Sequence, residues 1–466
     1  MKRFSLREHR PSILVAVLSS AFGVALLEVI AVLTQLIQQD DVTGSSAFVS
    51  YILSIIGFVF IAIAVYVGAI VTANTFSTII AGRTRTIALM RLIGSSAANE
   101  RRAVTREGLV VGVIGSAIGT VIGTLVTYGV VLIGTATEFL PQGSYTVLVP
   151  ITILPLVAVV LTTWLASWVG SRRVLVVSPM QATGGAVEAS HEETVSHRGR
   201  NAVAITLFVI GVGFLGLGVL VGLVNPAGVL VGVLGGLLSF TGLVLGANLV
   251  MPPALRLTGK LFGSSAAARL ASENAIRYPE RSSRTTIGLV IGVTLITMFA
   301  VTVESFQSMI RAAREAEPQI YQGTDPTLVL VVAVFSVLMG FSALIAAVGM
   351  VNNLSLSVLQ RTRELGLLRA LGFTAQQVRR MILAESAQLT LAAVLVGLVL
   401  GIFYGWAGAQ SLLGSMNGSP GIVFPTVPLP LLGIVALASV ILTIVSSVTP
   451  SRRATRVTPV AALAVE

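Results

Sequence analysis

The chain has 466 residues; 55% are hydrophobic, only 11% are charged, 46 are glycine and none is cysteine. A soluble surface needs about 25–35% charge, so most of this chain cannot face water. The same composition excludes disorder, and the lack of thiols excludes disulfide frameworks and Cys-based metal sites. A formal net charge of +11 raises nucleic acid as a partner, and the placement of the cations decides against it.

A spanning helix needs about 20 mostly apolar residues. Ten segments qualify: 12–36, 47–75, 108–134, 146–169, 201–223, 227–250, 286–308, 327–354, 384–408 and 428–448. The expected fold class is therefore all-α, a polytopic membrane protein. The first segment is too long and apolar for a cleaved leader, and no small-residue cleavage site follows it.

An even number of spans places both termini on one side. That side carries residues 1–11, 76–107, 170–200, 251–285, 355–383 and 449–466, which hold 28 of the 30 Lys and Arg. The other two are Arg311 and Arg314. Positive charge stays cytoplasmic, so both termini are expected on the cytoplasmic side. The excess charge is a topology signal, with no basic stretch standing free for nucleic acid. The longest outer loops, about 309–326 and 409–427, are too short to form a ligand-enclosing domain.

The chain repeats itself. Residues 83–96 read RTRTIALMRLIGSS and residues 361–374 read RTRELGLLRALGFT, at a spacing of 278. In that register Arg83, Arg85, Arg91 and Gly94 meet Arg361, Arg363, Arg369 and Gly372. Arg101 and Arg102 meet Arg379 and Arg380, Glu107 meets Glu385, and Gly119 and Gly123 meet Gly397 and Gly401. Both halves also end alike, in SRRVLVVSPMQA at 171–182 and SRRATRVTPVAA at 451–462. Six spans separate the starts of the halves, so they are parallel four-helix repeats about an axis along the membrane normal. The fifth and sixth spans form an unrepeated linking pair. The divisions expected are 1–182, 183–262 and 263–466. Within the second, GGAVEASHEETVSHRGR reads as a flexible polar linker. His191, Glu192, Glu193 and His197 fall there without an orienting scaffold, and no metal site is assigned.

In each repeat the second span continues past the membrane as helix, followed by a short helix that Gly94 or Gly372 stops as a C′ glycine. An apolar patch on so brief a loop points to another protein, and its recurrence argues against a mere topology signal. Met90 and Leu368 sit mid-way along these short helices.

These residues carry a resemblance. The second copy, with Arg361, Arg363, Glu364, Leu365, Leu367, Leu368, Arg369, Ala370, Leu371 and Gly372, resembles the signature of FtsX-like permeases, membrane subunits of MacB-type ABC transporters. The first copy departs from it at Thr86 and Leu92. LASENAIRYPERSSRTT at 270–286 resembles the amphipathic elbow that enters a repeat, and the 4+2+4 order is similar to the bacitracin-exporter type. The resemblance implies that Arg83, Arg85, Met90, Arg91, Gly94, Arg361, Arg363, Glu364, Leu368, Arg369 and Gly372 form two coupling helices. Each would dock one copy of a separate cytoplasmic ATPase, which binds ATP and magnesium. The chain has no G-x-x-x-x-G-K-[ST] loop, so no catalytic residue and no cofactor of its own is expected. Such permeases usually carry a large outer domain after a repeat's first span. Its absence here favours direct handling of a hydrophobic or amphipathic substrate, such as a peptide, antibiotic or lipid.

Glu28 in the first span and Glu304 in the seventh are costly in a bilayer. They occupy comparable places in the two repeats and are candidates for substrate or gating contacts. Glu107 and Glu385 are expected at the start of the third span of each half, where a carboxylate suits a helix N-terminus. The glycine spacings 115–119–123 and 228–232–236 suit close helix packing. The function expected is ATP-driven export or extraction. Two alternatives stay open: a relay of ATPase state to an envelope enzyme or sensor kinase, and an ion-driven secondary transporter.

Overall fold

A computed structural model describes residues 10–38, 88–137, 140–171, 198–261, 266–319 and 368–416 with few gaps, and 51–73 and 419–441 in part. Nine α-helices are described from end to end, and there is no strand among the described residues. In chain order they are α1 (Arg10–Gln38), α2 (Ala97–Ala136), α3 (Ile153–Gly170), α4 (Arg198–Gly222), α5 (Gly228–Leu245), α6 (Ala247–Gly259), α7 (Ala266–Arg277), α8 (Pro279–Ala316) and α9 (Ala375–Leu413). Seven of them, all but α6 and α7, are long and apolar enough to cross a membrane. The chain is thus an all-α polytopic membrane protein. Of the ten expected spans, 327–354 lies outside the described residues. The span at 47–75 is described in part, as apolar helix over Gly57–Val67, and that at 428–448 as helical turns between 429 and 441.

The largest departure from expectation is the length of α2 and α9, with 40 and 39 residues. At 1.5 Å per residue each is about 60 Å long, twice the hydrocarbon thickness of about 30 Å. The charged stretch ahead of each third span is therefore helix projecting from the bilayer, not loop. Local chemistry sets where it starts. Ser96 Oγ accepts the Asn99 N–H at 3.2 Å. Thr374 Oγ1 accepts the Gln377 N–H at 3.2 Å, and Gln377 Oε1 accepts the Thr374 N–H at 2.8 Å. The second arrangement is a capping box, which satisfies two otherwise orphaned donors.

The elbow also takes shape. α7 buries Ala271 and Ala275, and the Ser282 hydroxyl in α8 donates to the Ala275 carbonyl at 2.7 Å across the corner.

Within the halves the pairing is duplicated: α1 packs on α2 as α8 packs on α9. Small residues on the longer helix permit close approach. Gly119 faces Val17 O and Ser20 Cβ, while Gly397 faces Val290 O and Val293 Cβ. Gly123 faces Ala21 O and Val24 Cβ, while Gly401 faces Thr294 O and Thr297 Cβ. On α2 and α9 the spacing is 278, but on α1 and α8 every pair is 273 apart. The second half therefore carries five more residues between its first and third spans. In the linking pair α4 and α5 pack backbone on backbone, through Gly218 against Gly228 and Gly232, and through Gly211 against Gly235. The expected contact at Gly236 is not found: no atom lies within 4 Å of a Cβ placed there. Helical drift turns that position off the α4 seam, and Gly235 and Gly242 take its place.

One apolar core runs through both halves, from Phe22 and Leu26 of α1 to Phe240 of α5, Phe299 of α8 and Leu389 of α9. α8 is the most buried of the seven long apolar helices and α4 the least. α4 therefore turns its side chains to lipid. Several buried polar groups find partners across helices, which a bilayer favours. Gln388 Nε2 donates to Leu255 O at 2.9 Å, tying α6 to α9. Tyr66 and Thr241 share a hydroxyl bond at 2.7 Å, as do Tyr404 and Ser239 at 3.0 Å.

Candidate functional site

The duplicated turns are the most constrained local feature. Gly94 has φ +101° and Gly372 has φ +99°, a region that residues with a Cβ rarely occupy. The Ser95 N–H donates to Met90 O at 2.9 Å, and the Phe373 N–H donates to Leu368 O at 3.0 Å. These are the same 6→1 bond of a Schellman motif, 278 residues apart. One residue later Ser96 or Thr374 caps the long helix. Each half thus holds a short helix, a left-handed glycine and a capped long helix in the same arrangement. Both glycines act as the C′ stops expected of them.

The side chains on these turns differ from expectation in facing. Leu368 packs inward on Ala271, Val378, Met381 and Ile382. Met90 is half-buried and follows the fully buried Ala88. The apolar groups presented outward are Leu89, Leu92 and Ile93 in the first copy and Leu371 in the second. Ile93 and Leu371 are equivalent in the repeat, and they are 79% and 71% exposed. Each directly precedes its turn glycine, a position a terminating helix cannot fold back on itself; that was the available signal. Arg369 is half-buried. Arg83, Arg85, Arg91, Arg361, Arg363 and Glu364 lie outside the described residues.

Glu28 is fully buried in α1. Its Oε1 accepts the Thr124 hydroxyl of α2 at 2.7 Å. Its Oε2 has no hydrogen-bond partner among the described residues. Glu304 sits elsewhere. At the 273 spacing of α1 and α8 its counterpart is Ala31, nearly one turn beyond Glu28. Its carboxylate accepts from Arg311 at 3.3 Å toward the exposed end of α8. The two glutamates are therefore not equivalent, because the five extra residues shift α8 against α1.

Glu107 and Glu385 are not at a helix start. α2 and α9 begin ten residues earlier, at Ala97 and Ala375. The end-charge of a helix fades within its first turn, so the terminus is not what these carboxylates serve. Glu385 is buried within α9. No group of three metal-ligating side chains occurs among the described residues. His191, Glu192, Glu193 and His197 lie outside them.

Between the halves is an apolar chamber of about 150 Å³. The second span contributes Tyr66, α5 contributes Phe240, α8 contributes Met298 and Thr302, and α9 contributes Tyr404 and Leu412. Tyr66 packs edge-on to Phe240, as Phe240 does to Tyr404. The chamber draws on the first repeat, the linking pair and the second repeat together. Its walls are mostly apolar, and the hydroxyls of Tyr66, Tyr404 and Thr302 are held in hydrogen bonds, so it suits an apolar guest.

Comparison with known proteins agrees with the duplication. The FtsX-like permease C-terminal family model matches residues 58–179 and again residues 336–459. The two matches begin 278 residues apart, the spacing of the repeat. Among curated relatives, the uncharacterized ABC transporter permease YknZ of Bacillus subtilis is 31% identical over 148 residues, covering 32% of this chain and 35% of that protein. The ABC transporter permease YtrF of the same organism is 28% identical over 129 residues, covering 26% of this chain and 30% of that one. The chain spans about a third of the length of the curated relatives it matches.

Proposed function

Because the chain belongs to the FtsX-like permease family, we propose that it couples the ATPase cycle of a separate subunit to movement of a hydrophobic or amphipathic compound through the membrane. The chain is read as two permease repeats, 1–182 and 263–466, joined by 183–262. The turn at 88–96 docks one ATPase copy and the turn at 368–374 docks a second. ATP and magnesium are bound by those partners. When ATP draws the two ATPase copies together, the docked turns are drawn with them. The rigid connection runs through the N-caps Ser96 and Thr374 into the long helices α2 and α9. Movement of these helices against each other changes the chamber between the halves, where an apolar part of the substrate rests. Both termini and both turns face the cytoplasm of a bacterial cell. Glu28, inside the first half, is the gating group of this reading.

The observation that carries the proposal is the duplicated turn, with Ile93 and Leu371 exposed at equivalent places. Sidedness alone needs only charge; it does not need an exposed apolar residue fixed before a left-handed glycine. The test is composition. The chain purified alone is expected to show no ATPase activity above background. Co-expressed with its ATPase, the complex is expected to have the native mass of one permease chain and two ATPase chains. A one-to-one complex contradicts two docking sites.

A further inference from the structure

The first half carries a second feature that the coupling turns do not use. Where the projecting part of α2 meets its apolar run, Arg101, Arg102 and Arg106 line a pocket of about 410 Å³ with Leu109 and, from α3, Trp164 and Trp168. We propose that this pocket binds one anionic phospholipid, its headgroup phosphate on the arginines and its chains along the lipid-facing side of α2 and α3.

Four observations carry the assignment. The first is depth. α2 turns from charged to apolar at Gly108, so the arginines lie at the level where lipid phosphates begin. Trp164 and Trp168 are part-exposed at that level, as interfacial tryptophans are. The second is order. The Arg101 guanidinium lies 4.7 Å from the centre of the Trp168 ring, and its Nε donates to Ser171 Oγ at 3.4 Å. Arg101 is thus held by α3 rather than free to follow any anion. The third is charge. Arg102 and Arg106 are one helical turn apart and exposed, and they have no ion-pair partner among the described residues. Glu100, in the same segment, accepts from Ser95 Oγ at 2.7 Å. Guanidinium forks match phosphate geometry. The fourth is asymmetry. Arg101 and Arg102 recur as Arg379 and Arg380, but Thr105 and Arg106 become Leu383 and Ala384. The tryptophans become Ile444 and Val448 in the register of the shared SRR endings. A general cytoplasmic charge would recur in both halves, whereas this pocket is built in one.

The test is native mass spectrometry of the full chain in detergent with added phosphatidylglycerol, phosphatidylcholine or inorganic phosphate. The wild type is expected to retain one phosphatidylglycerol and neither of the others. Arg102→Ala with Arg106→Ala is expected to weaken retention at least tenfold. Arg379→Ala with Arg380→Ala, which alters the same number of charges in the other half, is expected to leave it unchanged. Trp164→Ala, which alters no charge, is expected to weaken it too and gives a second reading should the arginine variant fail to fold. Equal retention of phosphatidylcholine, binding of free phosphate in place of lipid, or equal loss in both arginine pairs overturns the proposal.

Discussion

Glu28 in α1 and Val301 in α8 occupy the same place in the two halves. Glu28 bonds Thr124 of α2, and Val301 lies against Gly405 of α9, the counterpart of Thr127, which is about one turn beyond Thr124. An apolar side chain therefore satisfies this position in one half, and the carboxyl of the other is not required for the helix pair to form. Leaving Oε2 unpartnered costs about 1–3 kcal/mol. Glu28→Val is accordingly expected to keep or raise the thermal midpoint of the detergent-purified chain while lowering substrate-stimulated ATPase activity of the complex. A midpoint several degrees lower would instead make the carboxyl a fastener between α1 and α2.

The close approach of α1 to α2 has its own test. A Cβ added at Gly119 meets Val17 O at 2.5 Å, whereas one added at Gly236 meets nothing within 4 Å. Gly119→Ala is expected to destabilise by about 1–3 kcal/mol through forced separation of the helices. Gly236→Ala, which clashes with nothing and favours helix by up to about 1 kcal/mol, is expected to be neutral or stabilising. Thermal unfolding of the two variants side by side checks this ordering.

Sidedness is open to chemical labelling because the chain has no cysteine. Asn99 at the start of α2 and Ser144 in the loop before α3 are both exposed and lie at opposite ends of the apolar segments. Ser144→Cys is expected to react with an impermeant maleimide in intact cells, and Asn99→Cys only after lysis. Labelling of Asn99→Cys in intact cells reverses the orientation.

What the sequence carried and what it withheld have physical causes. The turns were legible because Gly94 and Gly372 answer to backbone geometry alone, and only glycine takes φ near +100° cheaply. The repeat register of α2 and α9 was legible for a like reason, since small residues are needed wherever α1 or α8 approaches closely. The register of α1 against α8 was not. Apolar residues facing one another in lipid are interchangeable, so five extra residues before the third span left no mark, and Glu28 looked like a partner for Glu304. The inward turn of Leu368 was hidden because its cover comes from Ala271, about a hundred residues earlier in the chain. The true starts of α2 and α9 were hidden because a charged stretch reads as loop until its caps are recognised.

The central claim is that the two turns dock an ATPase through their outward apolar residues. Ile93→Asp with Leu371→Asp places a carboxylate at both exposed positions, where burial in a partner groove would leave it unpaired at a cost of several kcal/mol. Neither position is packed in the fold, so the permease is expected to insert and to keep its thermal midpoint. Co-purification of the ATPase is expected to be lost in the double variant and reduced in each single one. Full ATPase binding and stimulation by the double variant would contradict the account.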